Sequence, residues 1–312
     1  MRRGKQWCGA SLLGLALLAA SACRSKAPAG DATPASSANA PPSSSAFKPA
    51  APVASGLPNA KDLVSKVVNP QNQREYTGPT GTVKGIVTAS GDQAPPSPQH
   101  LAKIKGACPE GRAAYSHLFR EGMMRSLADV LVAVTGYQGY VPEKQPKVLV
   151  AARGCSFSTR TVAMTFGQTL DVVSKDGEAY VPTLLGSRME AQLLALPGGG
   201  PSTLYPPQPG HYFLSDSIKV FMMADVFVVK YPTHDVTSLD GRFEISGIPV
   251  GKARLSAMLP ATRAVVEKDI EIKAGEPLEL AITLPFDAKA HTAAPPSPSA
   301  APAGSVSVPA PP

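Results

Sequence analysis

Hydrophobic and polar residues alternate along much of the middle of the chain, which is the pattern of half-buried β-strands. Residues 82–88 and 278–284 alternate in this way, and residues 226–229 form a continuous apolar run like that of a buried strand. Asp240-Gly241 is a tight-turn pair, and an alternating segment follows it. Further candidate strands lie at 127–135, 147–152, 161–166, 169–173, 242–245, 252–258 and 269–272. Strands at this spacing predict a mainly β body folded as a β-sandwich.

Helical patterns are few. Residues 110–125 predict either one helix or an irregular loop, and residues 62–68 predict a short helix. Two segments rich in Ala, Pro and Ser, 23–75 and 287–312, flank the body and contain almost no aromatic residues. Such segments bury too little apolar surface to offset their ordering entropy, so both are predicted to be disordered, the first as a tether. The remaining body, 76–286, is long enough for one large domain or two small ones.

The first residues carry a secretion pattern. Arg2, Arg3 and Lys5 precede a short apolar run at 10–18, and small residues follow it up to Cys23. A basic start, a short apolar core and a small-residue ending predict a signal peptide over residues 1–22. The apolar core is shorter than a membrane-spanning helix requires.

The ending Ala20-Ser21-Ala22-Cys23 resembles the lipobox of bacterial lipoproteins. The resemblance implies cleavage before Cys23, lipidation of its thiol and a membrane anchor facing the cell envelope. The alternative is an ordinary signal peptide cut after Ala22, which leaves Cys23 free. In that family an Asp after the cysteine favours the inner membrane. Arg24 stands here, so the resemblance implies the outer membrane, facing the periplasm or the cell surface.

Charge and cysteine content narrow the possible partners. Without its signal peptide the chain keeps 27 basic and 23 acidic side chains, and no dense basic run predicts nucleic-acid binding. Cys8 leaves with the signal and Cys23 is assigned to the lipid, so Cys108 and Cys155 remain. In an oxidising envelope two such cysteines favour a disulfide. A metal or redox pair is the alternative, but the sequence has neither a C-x-x-C spacing nor a neighbouring histidine.

Three stretches together resemble a bacterial family of cupredoxin-like envelope proteins, the plastocyanin-like or methylamine-utilisation-like group. They are GTVKGIV (81–87), RGCSF through FGQTL (153–170), and MMADVFVV leading to VTSLDGRF (222–243). The resemblance implies a cupredoxin-like β-sandwich over 76–230. The run GRFEISGIPVG (241–251) resembles carboxypeptidase-regulatory-like domains, which are transthyretin-like sandwiches without activity of their own. It implies a second β segment over 231–286.

The copper ligands of that family are missing from the matching positions. A blue-copper site needs two imidazoles and a thiolate, usually with an axial Met. In SKDGEAYVP (174–182) Ala179 occupies the place of the first His. The family's C-x-x-H-x-x-M cluster corresponds to Asp216, Lys219 and Met222. These four are therefore interpreted as vestigial ligand positions, with no metal and no other cofactor expected.

Other candidate ligands are scattered. His100, His117, His211, His234 and His291 show no H-x-H or H-x-x-x-H spacing. Met123-Met124 and Met222-Met223 offer soft sulfur ligands, but we expect them to pack in the interior. No G-x-S-x-G, Walker or H-E-x-x-H motif is present, so we expect no enzymatic activity.

The sequence thus predicts a lipid-anchored envelope protein with a non-catalytic β-sandwich that binds a partner or has a structural role. Its expected partners are the membrane, reached through the lipid, and either an envelope protein or a glycan. One alternative is a copper electron-transfer protein with atypical ligands. Another is a carbohydrate- or peptidoglycan-binding module, because Tyr137, Tyr140, Tyr205 and Tyr212 lie in Gly/Pro-rich segments.

Overall fold

The computed structural model describes residues 53–55, 59–104, 106, 108–187 and 190–293. The strands are β1 (Val53–Ser55), β2 (Thr80–Gly91), β3 (Leu131–Thr135), β4 (Lys147–Arg153), β5 (Ser156–Phe157), β6 (Thr161–Thr165), β7 (Thr169–Ser174), β8 (Pro182–Leu185), β9 (Ser202–Leu204), β10 (Gly210–Asp216), β11 (Met223–Val229), β12 (His234–Val236), β13 (Arg242–Pro249), β14 (Gly251–Leu259), β15 (Ala264–Ile272) and β16 (Leu278–Phe286). The helices are α1 (Lys61–Val68), α2 (Pro98–Lys103), α3 (Pro109–Tyr115) and α4 (Ala288–Ala293), with a 3₁₀ turn at Met123–Arg125. The prediction of a mainly β fold is confirmed.

The strands form four sheets, which pair into two β-sandwiches. The first, here called the inserted sandwich, packs a sheet of order β1-β9-β7-β4-β5 against one of order β6-β11-β10-β8. Its core combines Val150, Leu170 and Leu204 of one sheet with Met164 and Leu214 of the other. Alternate residues of each strand point to opposite faces, so each sheet contributes one apolar face to this core.

The second, here called the framing sandwich, packs a sheet of order β12-β3-β14-β15 against one of order β13-β2-β16. Val132 and Leu255 from the first of these sheets share a core with Val87, Ile245 and Leu284 from the second. The chain begins this sandwich with β2 and β3, then builds most of the inserted sandwich, and returns with β12. The prediction of β-sandwich architecture is therefore confirmed twice in one chain.

The predicted boundary at 230/231 needs a correction. Residues 81–87 were expected to open the cupredoxin-like domain. They instead form part of β2, the middle strand of the three-stranded sheet in the framing sandwich. This strand pairs antiparallel with β13. It also pairs parallel with β16, and the residues of β16 lie nearly 200 positions later in the chain. Val83 and Val87 are completely buried in that core. The alternation in β2 shows that one face is buried but does not reveal which distant strands cover it. The resemblance of 241–251 to carboxypeptidase-regulatory-like domains stays a prediction.

The predicted disordered segments also need correction where they overlap the described residues. Within 23–75, β1 pairs parallel with β9, and α1 packs Val64, Val67 and Val68 against the inserted core. This agrees with the short helix expected at 62–68. Within 287–312, residues 288–293 form α4. The signal peptide, Cys23 and residues 294–312 lie outside the described residues.

A buried carboxylate joins the two sandwiches. Asp129, just before β3, accepts two hydrogen bonds from the Arg120 guanidinium, at 2.6 and 2.5 Å. It also accepts one from the backbone N–H of Arg160 at 2.8 Å, just before β6 of the inserted sandwich. The backbone carbonyl of Asp129 accepts a further bond from the Thr161 hydroxyl at 2.8 Å. These contacts fix the start of β6 against the start of β3.

Candidate functional site

The vestigial ligand positions come together at one end of the inserted sandwich. Ala179 lies in the loop between β7 and β8, whereas Asp216 ends β10 and Lys219 and Met222 lie in the turn before β11. The backbone N–H of Val181, next to Tyr180, donates to Asp216 Oδ2 at 2.6 Å and ties the two loops together. Sequence reasoning therefore identified two loops that are neighbours in the fold.

Both oxygens of the Asp216 carboxylate accept hydrogen bonds from the backbone around it. The side chain is completely buried. Besides the bond from Val181, its Oδ1 accepts from the N–H of Ile218 at 3.0 Å and of Lys219 at 2.6 Å. Three backbone donors take up most of the roughly four lone-pair positions of this carboxylate, so Asp216 caps the turn.

Lys219 supplies the positive charge of this loop cluster. Its Nζ lies 2.9 Å from Glu178 Oε2 and 4.5 Å from the ring centroid of Tyr180. The ammonium is therefore held by an ion pair on one side and by an aromatic face on the other. A cation bound here repels a second cation, so the position disfavours a metal ion.

Tyr180 connects this cation to the disulfide. The Tyr180 side chain is completely buried, and its hydroxyl donates to Asp176 Oδ2 at 2.7 Å and accepts from the Cys155 N–H at 3.3 Å. Burial, followed by the bond to Asp176, raises the pKa of Tyr180. Burial opposes ionisation of Asp176, but hydrogen bonds from Tyr180 and from backbone N–H groups outweigh it and lower the pKa of that carboxyl.

The predicted disulfide between Cys108 and Cys155 is present, with the Cα atoms 5.4 Å apart. Cys155 lies in the two-residue turn between β4 and β5, where Gly154 and Cys155 both adopt positive φ, 55° and 61°. Two such residues match the turn type that fits the twist of a hairpin. The bridge joins this turn to the beginning of α3, and the Gly111 N–H donates to the Gly154 carbonyl beside it at 3.0 Å.

The residues at the four vestigial positions do not fit a blue-copper centre. Ala179 has no donor atom, the Asp216 oxygens are occupied by backbone donors, and Lys219 is a cation. Met222 is completely buried in the inserted core, and one thioether cannot hold copper. The sulfur of Cys155 is bonded to Cys108. Among the residues that the structure describes, no three His, Cys, Asp or Glu side chains are grouped to hold a metal ion.

Two interpretations of individual side chains change. Met123 and Met124 were expected to pack in the interior, but they are 90% and 93% exposed, because the turn that carries them points outward. Met223 also keeps 40% of its surface exposed, and only Met222 of that pair is a core residue. Tyr212, a candidate sugar-binding residue, is buried within β10 and offers no exposed ring. The ring of Tyr137 packs against the core of the framing sandwich.

Sequence reasoning missed a cleft of about 880 Å³ between the two sandwiches. Its exposed apolar lining is formed by Ala94, Ala113, Ala151 and Leu239, whereas Phe119 and Phe157 are each only 2% exposed. Charged side chains line it as well, namely Glu110, Arg120, Glu121, Arg153 and Lys175. These residues come from five separate chain segments, so no local signal could have identified the cleft.

No protein-family model and no curated protein sequence matches this chain. Among solved structures, the chain is similar to a reduced amicyanin mutant, with 17% identity over 28% of this chain and 85% of that one (TM-score 0.24). A second reduced amicyanin mutant is 16% identical over 31% of this chain and 98% of that one (TM-score 0.23). Amicyanin from Paracoccus versutus is 16% identical over 28% of this chain and 84% of that one (TM-score 0.24). Similarities of this size carry no argument about activity.

No helix among the described residues is long and apolar enough to cross a membrane.

Proposed function

We propose that this chain is a lipid-anchored protein of the cell envelope whose sandwich body acts without a metal, as a non-catalytic binding or structural module. The observation that carries the proposal is Lys219. Its ammonium is held between Glu178 and the Tyr180 ring, at a position where the family it resembles has a copper ligand. The Lys219 ammonium, paired with Glu178 and Tyr180, supplies the positive charge that a bound metal would otherwise bring to these loops.

The stability of the protein in the presence of copper tests the metal-free part of this proposal. A ligand that binds only the folded state at a hundred times its dissociation constant stabilises that state by about 2.7 kcal/mol. We expect neither Cu(I) nor Cu(II) to shift the thermal midpoint relative to a chelator-treated sample. The matched control is Met222→Leu, which keeps the packing but removes the thioether. A copper-dependent rise that Met222→Leu abolishes would contradict the proposal.

The anchor part of the proposal is supported by the sequence at 10–23, which resembles a lipobox. A single acyl chain gives only marginal membrane binding, whereas several chains hold a protein firmly. We therefore expect the wild-type protein in the membrane fraction, with a mass at its N-terminal peptide that includes acyl groups on Cys23. Cys23→Ala should be released or left uncleaved. An unmodified Cys23 at the mature N-terminus would show that the anchor is absent.

A further inference from the structure

Met123 and Met124 are the most exposed large apolar side chains among the described residues, at 90% and 93%. They lie in the 3₁₀ turn before β3, and we call this pair the methionine turn. At such exposure neither side chain stabilises the fold by burial, because nearly all of its apolar surface stays in water. The two thioethers are therefore open to reagents dissolved in the surrounding solution.

The backbone of the methionine turn is unusual for methionine. Met124 has a φ of 53° and Arg125 a φ of 63°, in the left-handed region that glycine and asparagine adopt more readily than residues with long side chains. A residue that keeps this conformation without packing in the interior points to a role for its own side chain. What distinguishes methionine from glycine or asparagine at this position is its thioether.

Hydrogen bonds hold the methionine turn in this outward conformation. The Arg125 guanidinium donates to the carbonyls of Gly91 and Asp92, both at 2.6 Å, and to Glu121 Oε1 at 2.8 Å. The acceptors in these bonds are two backbone carbonyls and a carboxylate, and the methionine sulfurs take no part in them. A chemical change at either sulfur therefore leaves the contacts that fix the turn in place.

The other methionines that the structure describes are better protected. Met164 and Met222 are completely buried in the inserted core, Met223 is 40% exposed, and Met258 is partly buried. Oxidation converts the apolar methionine side chain into a polar sulfoxide, which disrupts a packed core. In the methionine turn the added oxygen would meet water instead, so the packing of both sandwiches would stay as it is.

We propose that the methionine turn is an oxidation site, at which hydrogen peroxide converts the thioethers of Met123 and Met124 to sulfoxides while the fold is retained. A sulfur lone pair attacks one peroxide oxygen, so that an S–O bond forms and the O–O bond breaks. The leaving hydroxide takes up the proton of the transferred oxygen and departs as water. Sulfur is oxidised and the peroxide is reduced, and each methionine consumes one molecule of peroxide. The reaction requires neither the anchor nor a binding partner.

Peptide mapping of the full chain after brief treatment with hydrogen peroxide tests where oxidation occurs. A buried sulfur reacts only when the structure opens, which is rare in a native protein. We therefore expect the methionine turn to react at least about tenfold faster than Met164 and Met222. In concentrated urea these rates should become similar, and a difference that persists there would contradict an origin in the fold. Equal rates in the folded protein would overturn the proposal.

Leucine substitutions test whether the methionine turn takes up oxidant in place of other sites. At a limiting dose of peroxide, Met123→Leu with Met124→Leu should raise the sulfoxide yield at Met223 severalfold, because the competing thioethers are gone. The matched control, Met223→Leu, should leave the sulfoxide yield in the turn unchanged. The wild type oxidised only in the turn should unfold at the same temperature as the untreated protein. A lower unfolding temperature, or a Met223 yield that the double leucine variant does not raise, would overturn the proposal.

Discussion

At the scale of single residues, the sequence was most informative where chemistry is local. The disulfide between Cys108 and Cys155 followed from the exported context and the number of cysteines, and it is confirmed. The absence of copper, expected because Ala179 and Lys219 stand where the resembling family has histidine ligands, stays a prediction. The hydrogen bond from Val181 to Asp216 could not be predicted, because its donor comes from a loop 35 positions away. The exposure of Met123 and Met124 was missed for a similar reason, since it depends on the Arg125 contacts with Gly91 and Asp92.

Lys219→Met tests the internal cation. The substitution keeps an unbranched apolar side chain but removes the charge over Tyr180 and the ion pair with Glu178. Glu178 is half exposed, so the ion pair contributes little, and the cation–π contact contributes most of the effect. We expect a loss of about 1–2 kcal/mol in the free energy of unfolding, measured by urea titration.

The control for this prediction is Lys175→Met. Lys175 is exposed in the same loop, and no described side chain pairs with its ammonium group. Its replacement should change the unfolding free energy by less than about 0.5 kcal/mol. Equal effects of the two substitutions would show that the Lys219 contacts do not contribute to stability.

Asp129→Ala tests the junction between the sandwiches. The change leaves the Arg120 guanidinium, which is 20% exposed, without its bidentate partner. Breaking a buried ion pair from one side costs about 3–5 kcal/mol. We expect a loss of that order in thermal or urea unfolding. Asp129→Asn should cost less, since asparagine accepts hydrogen bonds and tolerates the φ of 65° at this position. A cost below 1 kcal/mol for the alanine variant would contradict this account of the junction.

At the scale of secondary-structure elements, alternation located the long strands well. The regions of β2, β4, β6, β7, β14 and β16 were all predicted close to their observed bounds. The short strands β5, β9 and β12 have two or three residues, too few for any period to emerge. Residues 127–130 were assigned to a strand together with the Val-rich run that follows them, but they lead into β3 as buried irregular chain.

The environment of His234 in β12 predicts how the stability of the fold depends on pH. Its Nε2 lies 3.2 Å from the Thr165 hydroxyl of β6, and that hydroxyl donates to Glu143 at 2.8 Å. Burial lowers the pKa of His234 from 6.5 to about 4, and the nearby Glu143 only partly opposes this. The folded state therefore binds fewer protons than the unfolded chain. This contribution to stability is complete above pH 6.5 and is lost as the pH falls towards about 4.

We expect the acid loss to be about 2–3 kcal/mol, measured as the difference in urea unfolding free energy between neutral and mildly acidic buffer. His234→Asn cannot take up the proton, so it should flatten this part of the pH profile. An identical profile for the wild type and His234→Asn would show that β12 does not contribute to acid sensitivity.

At the scale of the whole molecule, the two sandwiches are interleaved in sequence. β2 and β3 belong with β12 to β16, while β4 to β11 form the body between them. A linear division at residue 230 cannot represent this arrangement, because parallel pairing of β2 with β16 joins opposite ends of the body. The cleft between the sandwiches follows from the same interleaving. It was invisible in the sequence because its walls come from both sandwiches.

The central claim is the proposal that this β-sandwich body acts without a metal, with the Lys219 ammonium held between Glu178 and the Tyr180 ring. The most direct test is the copper content of the full chain, extracted from the envelope of cells grown with added copper and measured by elemental analysis. The account predicts far less than one copper per chain, with no difference between the wild type and Met222→Leu. One copper per chain in the wild type, lost in Met222→Leu, would contradict it.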